Sequence, residues 1–328
     1  MAAAPPSGLL TTRAQFEQER ASGQVSFASR MFSDVDLSGL DLSGLDFERA
    51  VLHGVSLEGC DLDGACLRGA VLERVTLRMA RLGRADLTDA LIYGGDASRA
   101  SFRHAVLRSL TASSTRRPVA SAADVTISFD DLQLGSAERA ALEQQGVYGF
   151  ADVPLLLDEA DFSDTTLEAV ELDGASLRRA TFAGARCSDV SFRSCQLSGA
   201  NFERAELNDV AFEAGSLEQA SFAGARSSGL RVNGTAMHGA TLPDVLERLQ
   251  LEQLELDGLA WPHTLREVTL VRCQLRSADL SGADLSGARF VECELGGARL
   301  AGRESMISAL ERLKAAHTHV GQFFAWPR

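Results

Sequence analysis

Leu57-Glu58-Gly59-Cys60-Asp61-Leu62-Asp63-Gly64-Ala65-Cys66-Leu67-Arg68-Gly69-Ala70-Val71-Leu72 repeats one five-residue unit three times. A large apolar centre stands at Leu57, Leu62, Leu67 and Leu72. Two places before each comes a smaller apolar residue: Val55, Cys60, Ala65 and Ala70. The other places are polar or glycine. A period of five fits neither an α-helix nor a flat strand. It fits a chain that turns about 90° per pentad, with two residues inward and three outward, as in a stacked repeat array.

Working outward, the frame begins at Phe27 and runs unbroken through Phe32, Leu37, Leu42, Phe47 and Leu52, then on through Leu87, Ile92, Ala97 and Phe102 to Leu107. It resumes at Phe162 and passes Leu167, Leu172, Leu177, Phe182, Cys187, Phe192, Leu197, Phe202, Leu207, Phe212, Leu217 and Phe222. It frays at Ser227, Val232 and Met237 and reaches Leu242. A third run, from Leu265 through Leu270, Leu275, Leu280, Leu285, Phe290 and Leu295 to Leu300, stands two residues out of that frame. Between them, pentads centred on Leu246, Leu251, Leu256 and Trp261 would turn Leu249, Leu254 and Leu259 inward where alanine is usual. That predicts a swollen, distorted coil over 243–264; the alternative is a short helix over Asp244–Leu254.

This register resembles the A-(D/N)-L-x-x signature of the pentapeptide-repeat family, over about two-thirds of the chain. The resemblance implies an all-β fold: a right-handed, quadrilateral parallel β-helix with four pentads per coil. Coils then rise by the strand spacing of about 4.8 Å. Residues twenty apart should lie directly above one another. Phe162, Phe182, Phe202 and Phe222 are therefore expected to stack on one face, and Phe192 and Phe212 on the opposite one.

The implied organisation is an N-terminal segment or cap at 1–26, a first repeat block at 27–110, an insertion at 111–156, a second block at 157–302, and a C-terminal helix with an aromatic tail at 303–328. In the first segment Thr12 and Gln15 form a capping box and Gly23 a stop, so a helix over Thr11–Gly23 is predicted, closing the end of the array. The insertion carries Arg116-Arg117-Pro118, a strand-like Val125–Phe129 and a helix-like Ser136–Gln145. It reads either as a protruding functional loop or as a packing excursion separating two arrays. In the tail, Met306, Leu310 and Leu313 recur at helical spacing before Phe323, Phe324 and Trp326. This is a cap, or else a homodimer contact or docking peptide, since aromatics are enriched in interface cores. The candidate interaction residues are Arg116, Arg117, Tyr148, Phe323, Phe324 and Trp326.

The net charge of −13 argues against non-specific nucleic-acid binding, which needs a basic footprint. Acidity concentrates in residues 157–264, at about −10, where Arg178, Arg179, Arg186, Arg193 and Arg204 interrupt it. Eleven of the sixteen phenylalanines are centres, hence core and not a base-stacking platform. No C-x-x-C pair occurs among the six cysteines. All but Cys66 fall on inward slots and are expected as buried, reduced thiols. His53, His104 and His238 fall on outward slots and should be solvated. Gly94-Gly95-Asp96 reads as a weakened coil. No zinc spacing, phosphate loop or nucleophile elbow is present, so no metal, cofactor or catalytic set is expected.

The start of the chain has no signal-peptide pattern, and no apolar run is long enough to span a membrane, so the cytoplasm is the expected address, with leaderless export leaving no mark. Function is then non-enzymatic. The first reading is a protein-interaction scaffold. The second, from the resemblance of the N-terminal segment and Asp36–Leu45 to bacterial proteins found near type VI secretion components, is a secretion accessory or effector. The third, a role some family members have, is a DNA mimic that binds and protects a type II topoisomerase such as gyrase. One continuous negative stripe would favour mimicry, and a patchwork of both signs a scaffold.

Overall fold

The computed structural model describes residues 8–114, 153–243, 245–257, 261, 264–281 and 288–300. The chain forms two compact units, Met1–Ser176 and Leu177–Arg328. Both are β-solenoids whose short strands pair in parallel with those of the next coil.

In the first unit the helix α1 spans Arg13–Ala21, and Thr12 and Gln15 close the capping box at its start. Its one buried side chain, Phe16, lies 4.8 Å from Phe27 and 6.3 Å from Phe32, ring centre to ring centre, which covers the first coil with apolar surface. Arg30, only 4% exposed, donates to both carboxylate oxygens of Glu19 on α1, at 3.1 and 3.2 Å, and ties the helix to the coil. Leu9–Leu10 pairs with Met31–Phe32, so a strand also covers that edge.

The expected spacing of twenty appears as strand register: Phe32, Leu52, Leu72, Ile92 and Ala112 are successive partners. The small inward places are filled to the same rule, with Ala50, Cys60, Ala65, Ala70, Ala80 and Ala85 at 1% exposure or less. Polar residues in that place bond backwards to the preceding coil. Thr165 Oγ1 donates to the Phe102 carbonyl at 2.8 Å and Cys60 Sγ to that of Leu37 at 3.1 Å. The outward place two after each centre sits at a corner with φ near +50 to +70°, as at Arg49, Asp89 and Gly59. That conformation explains why glycine and short polar residues recur there.

The insertion leaves the solenoid without disturbing it. Leu107 pairs with Leu167 and Ala112 with Leu172, both sixty apart instead of twenty. Phe102 and Phe162 stack at 4.8 Å with planes 6° apart. Consecutive centres Ala112 and Leu157 thus stand forty residues further apart in sequence than one pentad, and the strand register continues across them. Gly94 and Gly95 sit within a strand, Leu91–Asp96, beside an apolar cavity of about 30 Å³ lined by Leu77, Ile92, Gly95, Ala97 and Phe102 among others.

In the second unit Phe182, Phe202 and Phe222 stack at 4.7 and 4.8 Å, their planes 3–4° apart, and Phe192 stacks on Phe212 at 4.9 Å. The two stacks meet edge to face at 82–86° across the core. The frame slip resolves into two short coils. Ser227 pairs with Leu246 and Leu246 with Leu265, each nineteen apart, before the spacing returns to twenty at Leu270 and Phe290. Two coils each one residue short displace the frame by two. Leu249 and Leu254 do point inward, at 0% and 2% exposure; Leu259 lies outside the described residues. Val245–Glu247 and Gln250–Glu252 are strands, so the alternative of a helix over 244–254 is corrected: inward leucines every five residues hold the strand register.

All six cysteines are free thiols, five of them buried and Cys66 half-buried. Burial pushes the Cys187 thiol up to about 12. Partial burial, then the carboxylates of Asp46, Glu48 and Asp86, push that of Cys66 up as well. The thiolate is the reactive form. Alkylation of the native protein should therefore modify one cysteine, Cys66, with a rate that climbs roughly tenfold per pH unit below its raised pKa. Intact-mass spectra showing four or more rapid adducts at pH 8 would contradict this burial.

Candidate functional site

The six residues singled out from the sequence, Arg116, Arg117, Tyr148, Phe323, Phe324 and Trp326, lie outside the described residues, as do nearly all of 111–156 and the whole C-terminal helix and tail. The structure instead draws attention to the outward slots.

Many of these slots carry charge, of both signs, and some of it is paired between coils. Because residues twenty apart are neighbours, an arginine can reach a carboxylate one coil away. Arg81 pairs with Asp61, Arg84 with Asp63, Arg99 with Glu159 at 2.8 Å and Arg108 with Glu168 at 3.0 Å. In the second unit Arg186 pairs with Glu206, Arg193 with Glu213 and Arg272 with Glu252. These arginines are about half exposed or more, so the pairs pattern the surface more than they stabilise it.

One face of the first unit is different. Ser33, His53, Glu73, Tyr93, Ser113 and Asp173 are successive register partners, each one place after a centre. At that slot the described residues of the first unit are half-buried or exposed everywhere except at Ser33, His53, Glu73 and Ser113, which are buried. His53 Nδ1 stands 3.4 Å from Glu73 Oε2, within ion-pair reach but outside hydrogen-bond geometry. The expectation that His53 is solvated is thus corrected: its slot points outward from the coil, yet it is 8% exposed. His104 and His238 are exposed as expected. Period-five reading treats the outward slots alike and gives no signal for which of them are buried.

Asp46, Glu48 and Cys66 bring three donor atoms within 4.8 Å of one another. The Asp46 oxygens are already engaged, accepting from Ser26 Oγ at 2.7 Å and from the Glu48 amide at 2.9 Å. Among the described residues, no helix is long and apolar enough to cross a membrane.

The family described as pentapeptide repeats matches residues 32–69 and 265–302, and that described as a pentapeptide repeat region matches 165–242. The chain belongs to the pentapeptide-repeat family. Among solved structures, this pentapeptide-repeat protein is similar to HetL, a pentapeptide repeat protein involved in heterocyst differentiation regulation from the cyanobacterium Nostoc sp. Identity is 19%, over 88% of this chain and 97% of that one, with a TM-score of 0.35. It is also similar to QnrB1, a plasmid-mediated fluoroquinolone resistance protein, with 16% identity over 85% and 99% of the two chains and a TM-score of 0.27. The A-module of the mannuronan C-5 epimerase AlgE4 from Azotobacter vinelandii aligns at 12% identity over 92% and 94%, with a TM-score of 0.31. No curated protein matches the chain.

Proposed function

We propose that this pentapeptide-repeat protein is a non-enzymatic scaffold whose outward slots bind another protein. The observation that carries the reading is the matched charge of those slots. Arginine and carboxylate on neighbouring coils pair at several positions in both units, as at Arg84–Asp63 and Arg193–Glu213. A surface of alternating sign selects a partner by complementary pattern. A mimic of DNA would instead present phosphate-like charge of one sign, with few cations along it.

The test is capture by the immobilised full-length chain, beside the same chain carrying Arg81→Glu, Arg84→Glu and Arg103→Glu. These arginines are exposed, and each faces a carboxylate on a neighbouring coil. One protein retained by the parent and lost by the variant, at an unchanged melting temperature, is the expected result. DNA supercoiling by purified gyrase decides against the topoisomerase reading if the chain leaves it unaltered. Inhibition, or relief of drug poisoning, would replace the scaffold with the mimic. The secretion reading has no structural observation in its favour.

A further inference from the structure

We propose that Cys273 and Cys293 form a redox-active dithiol, which hydrogen peroxide oxidises to a disulfide that clamps two successive coils of the second unit together. Two observations converge on the pair.

The first is register. Of the six cysteines, only these two stand twenty residues apart. Val271 pairs with Val291 on one side of them and Gln274 with Glu294 on the other, so Cys293 stands one coil directly beyond Cys273. Successive coils are about 4.8 Å apart, and a disulfide joins residues whose Cα atoms are about 4.4–6.8 Å apart. Both cysteines fill the small inward slot, which turns their side chains the same way. The other three buried cysteines have no such neighbour. Twenty places from Cys60, Cys187 and Cys195 stand only leucine, alanine or glycine.

The second is the chemistry of the two sulfurs, which hydrogen-bond to each other. That bond holds the Cys293 thiol below its ordinary range against the effect of burial, and it raises the Cys273 thiol, which burial raises further. Cys293 is therefore the sulfur that carries the thiolate, the form that attacks a peroxide. It is also the more accessible of the two, at 6% exposed against 1% for Cys273. Each thiol's other contacts are backbone carbonyls at 3.4 Å, Leu251 for Cys273 and Leu270 for Cys293. Such bonds are weak for a sulfur donor and do not hold the sulfurs apart.

The step balances with one molecule of hydrogen peroxide. The Cys293 thiolate attacks a peroxide oxygen, the O–O bond breaks, and the departing oxygen takes protons and leaves as water. Cys293 is then a sulfenic acid. The Cys273 sulfur gives up its proton and attacks the Cys293 sulfur; the S–O bond breaks and a second water leaves. Two thiols have lost two electrons and two protons, and the peroxide has become two waters. Hydrogen peroxide is small enough to meet Cys293 in brief local openings that a bulky alkylating reagent cannot use.

The disulfide closes a loop of twenty residues beneath Arg272–Glu252 and Arg276–Glu294, ion pairs on the outer side of the same coils. Oxidation thereby stiffens one patch of the charged surface and leaves the first unit as it was.

The test exposes the reduced full-length chain to hydrogen peroxide, alkylates the remaining thiols after denaturation, and digests with trypsin in the absence of reductant. Cleavage after Arg272, Arg276, Arg289 and Arg299 puts the two cysteines in separate peptides, 273–276 and 290–299. These should be found linked in most chains, and dithiothreitol should separate them. Cys273→Ser should stop the reaction at a Cys293 sulfenic acid that dimedone traps, and Cys293→Ser should slow oxidation of Cys273 at least about tenfold. Serine suits this slot, where Thr235 Oγ1 already donates to the Phe212 carbonyl. On oxidation of the parent, amide exchange over 269–275 and 289–295 should slow at least about tenfold, because the closed loop limits how far these coils open. Both thiols still free after peroxide, a link that forms only in urea, undiminished oxidation of Cys273 in the Cys293→Ser chain, or exchange that oxidation leaves unchanged would overturn the proposal.

Discussion

Replacing Phe202 with alanine should destabilise the second unit by about 3–5 kcal/mol, the range for truncating a fully buried aromatic. Phe202 is 0% exposed, with parallel rings above and below it and the edges of Phe192 and Phe212 against its side. Removing it leaves a hole that neither stack can close, because each ring is held by its own coil's register. Offset aromatic contacts add roughly 0.5–1.5 kcal/mol beyond buried area, so several losses coincide at one site. Repeat arrays couple mainly to nearest neighbours. Hydrogen exchange on the variant should therefore accelerate around Phe182, Phe202 and Phe222 and leave the coils near Phe47 as they were. Uniform acceleration, or none, would reject the stack as a local spine.

Gly95→Ala should cost about 2–6 kcal/mol, combining roughly 1–3 for backbone strain with roughly 1–3 for overpacking. Gly95 has φ +107°, a conformation that residues with a side chain rarely adopt. A Cβ there would stand 2.4 Å from the Val75 carbonyl oxygen and 3.0 Å from its amide nitrogen, both backbone atoms fixed by the coil below. Gly59→Ala is the control. Its φ is +65°, with nothing within 4 Å of the added carbon, and Arg49 and Asp89 already tolerate that corner geometry. It should cost no more than about 1–2 kcal/mol. Urea midpoints for the two variants that coincide would refute the close approach at Gly95.

How far the sequence could be read follows from which physical constraint each residue answers to. Inward places obey a period that no other regular structure shares, so Leu37, Phe47 and Ala50, and even the anomalous Leu249 and Leu254, could be assigned to the core before any coordinates. The two nineteen-residue coils were legible as well, because the centres Leu242 and Leu246, and again Trp261 and Leu265, stand four residues apart where five is the rule, and each coil is one residue short. His53 illustrates the limit. Its slot was legible as outward, but whether water or protein lies outside it is decided by contacts remote in sequence, which a five-residue period does not encode. Interaction residues were harder still, because Arg116, Arg117, Tyr148, Phe323, Phe324 and Trp326 were chosen for standing outside the pattern, where neither spacing nor register constrains them.

The sixty-residue register between Leu107 and Leu167 has a consequence for heredity. Corners of this solenoid belong to the class of sites where a gene can acquire or discard codons in bulk without rewriting what lies on either side. A reading frame that gains a foreign exon at such a bend keeps its interior code intact, whereas one that gains a single codon along a straight side inverts every later residue of that side. Variation in length should therefore collect at bends as lineages diverge, while straight sides change by point replacement alone.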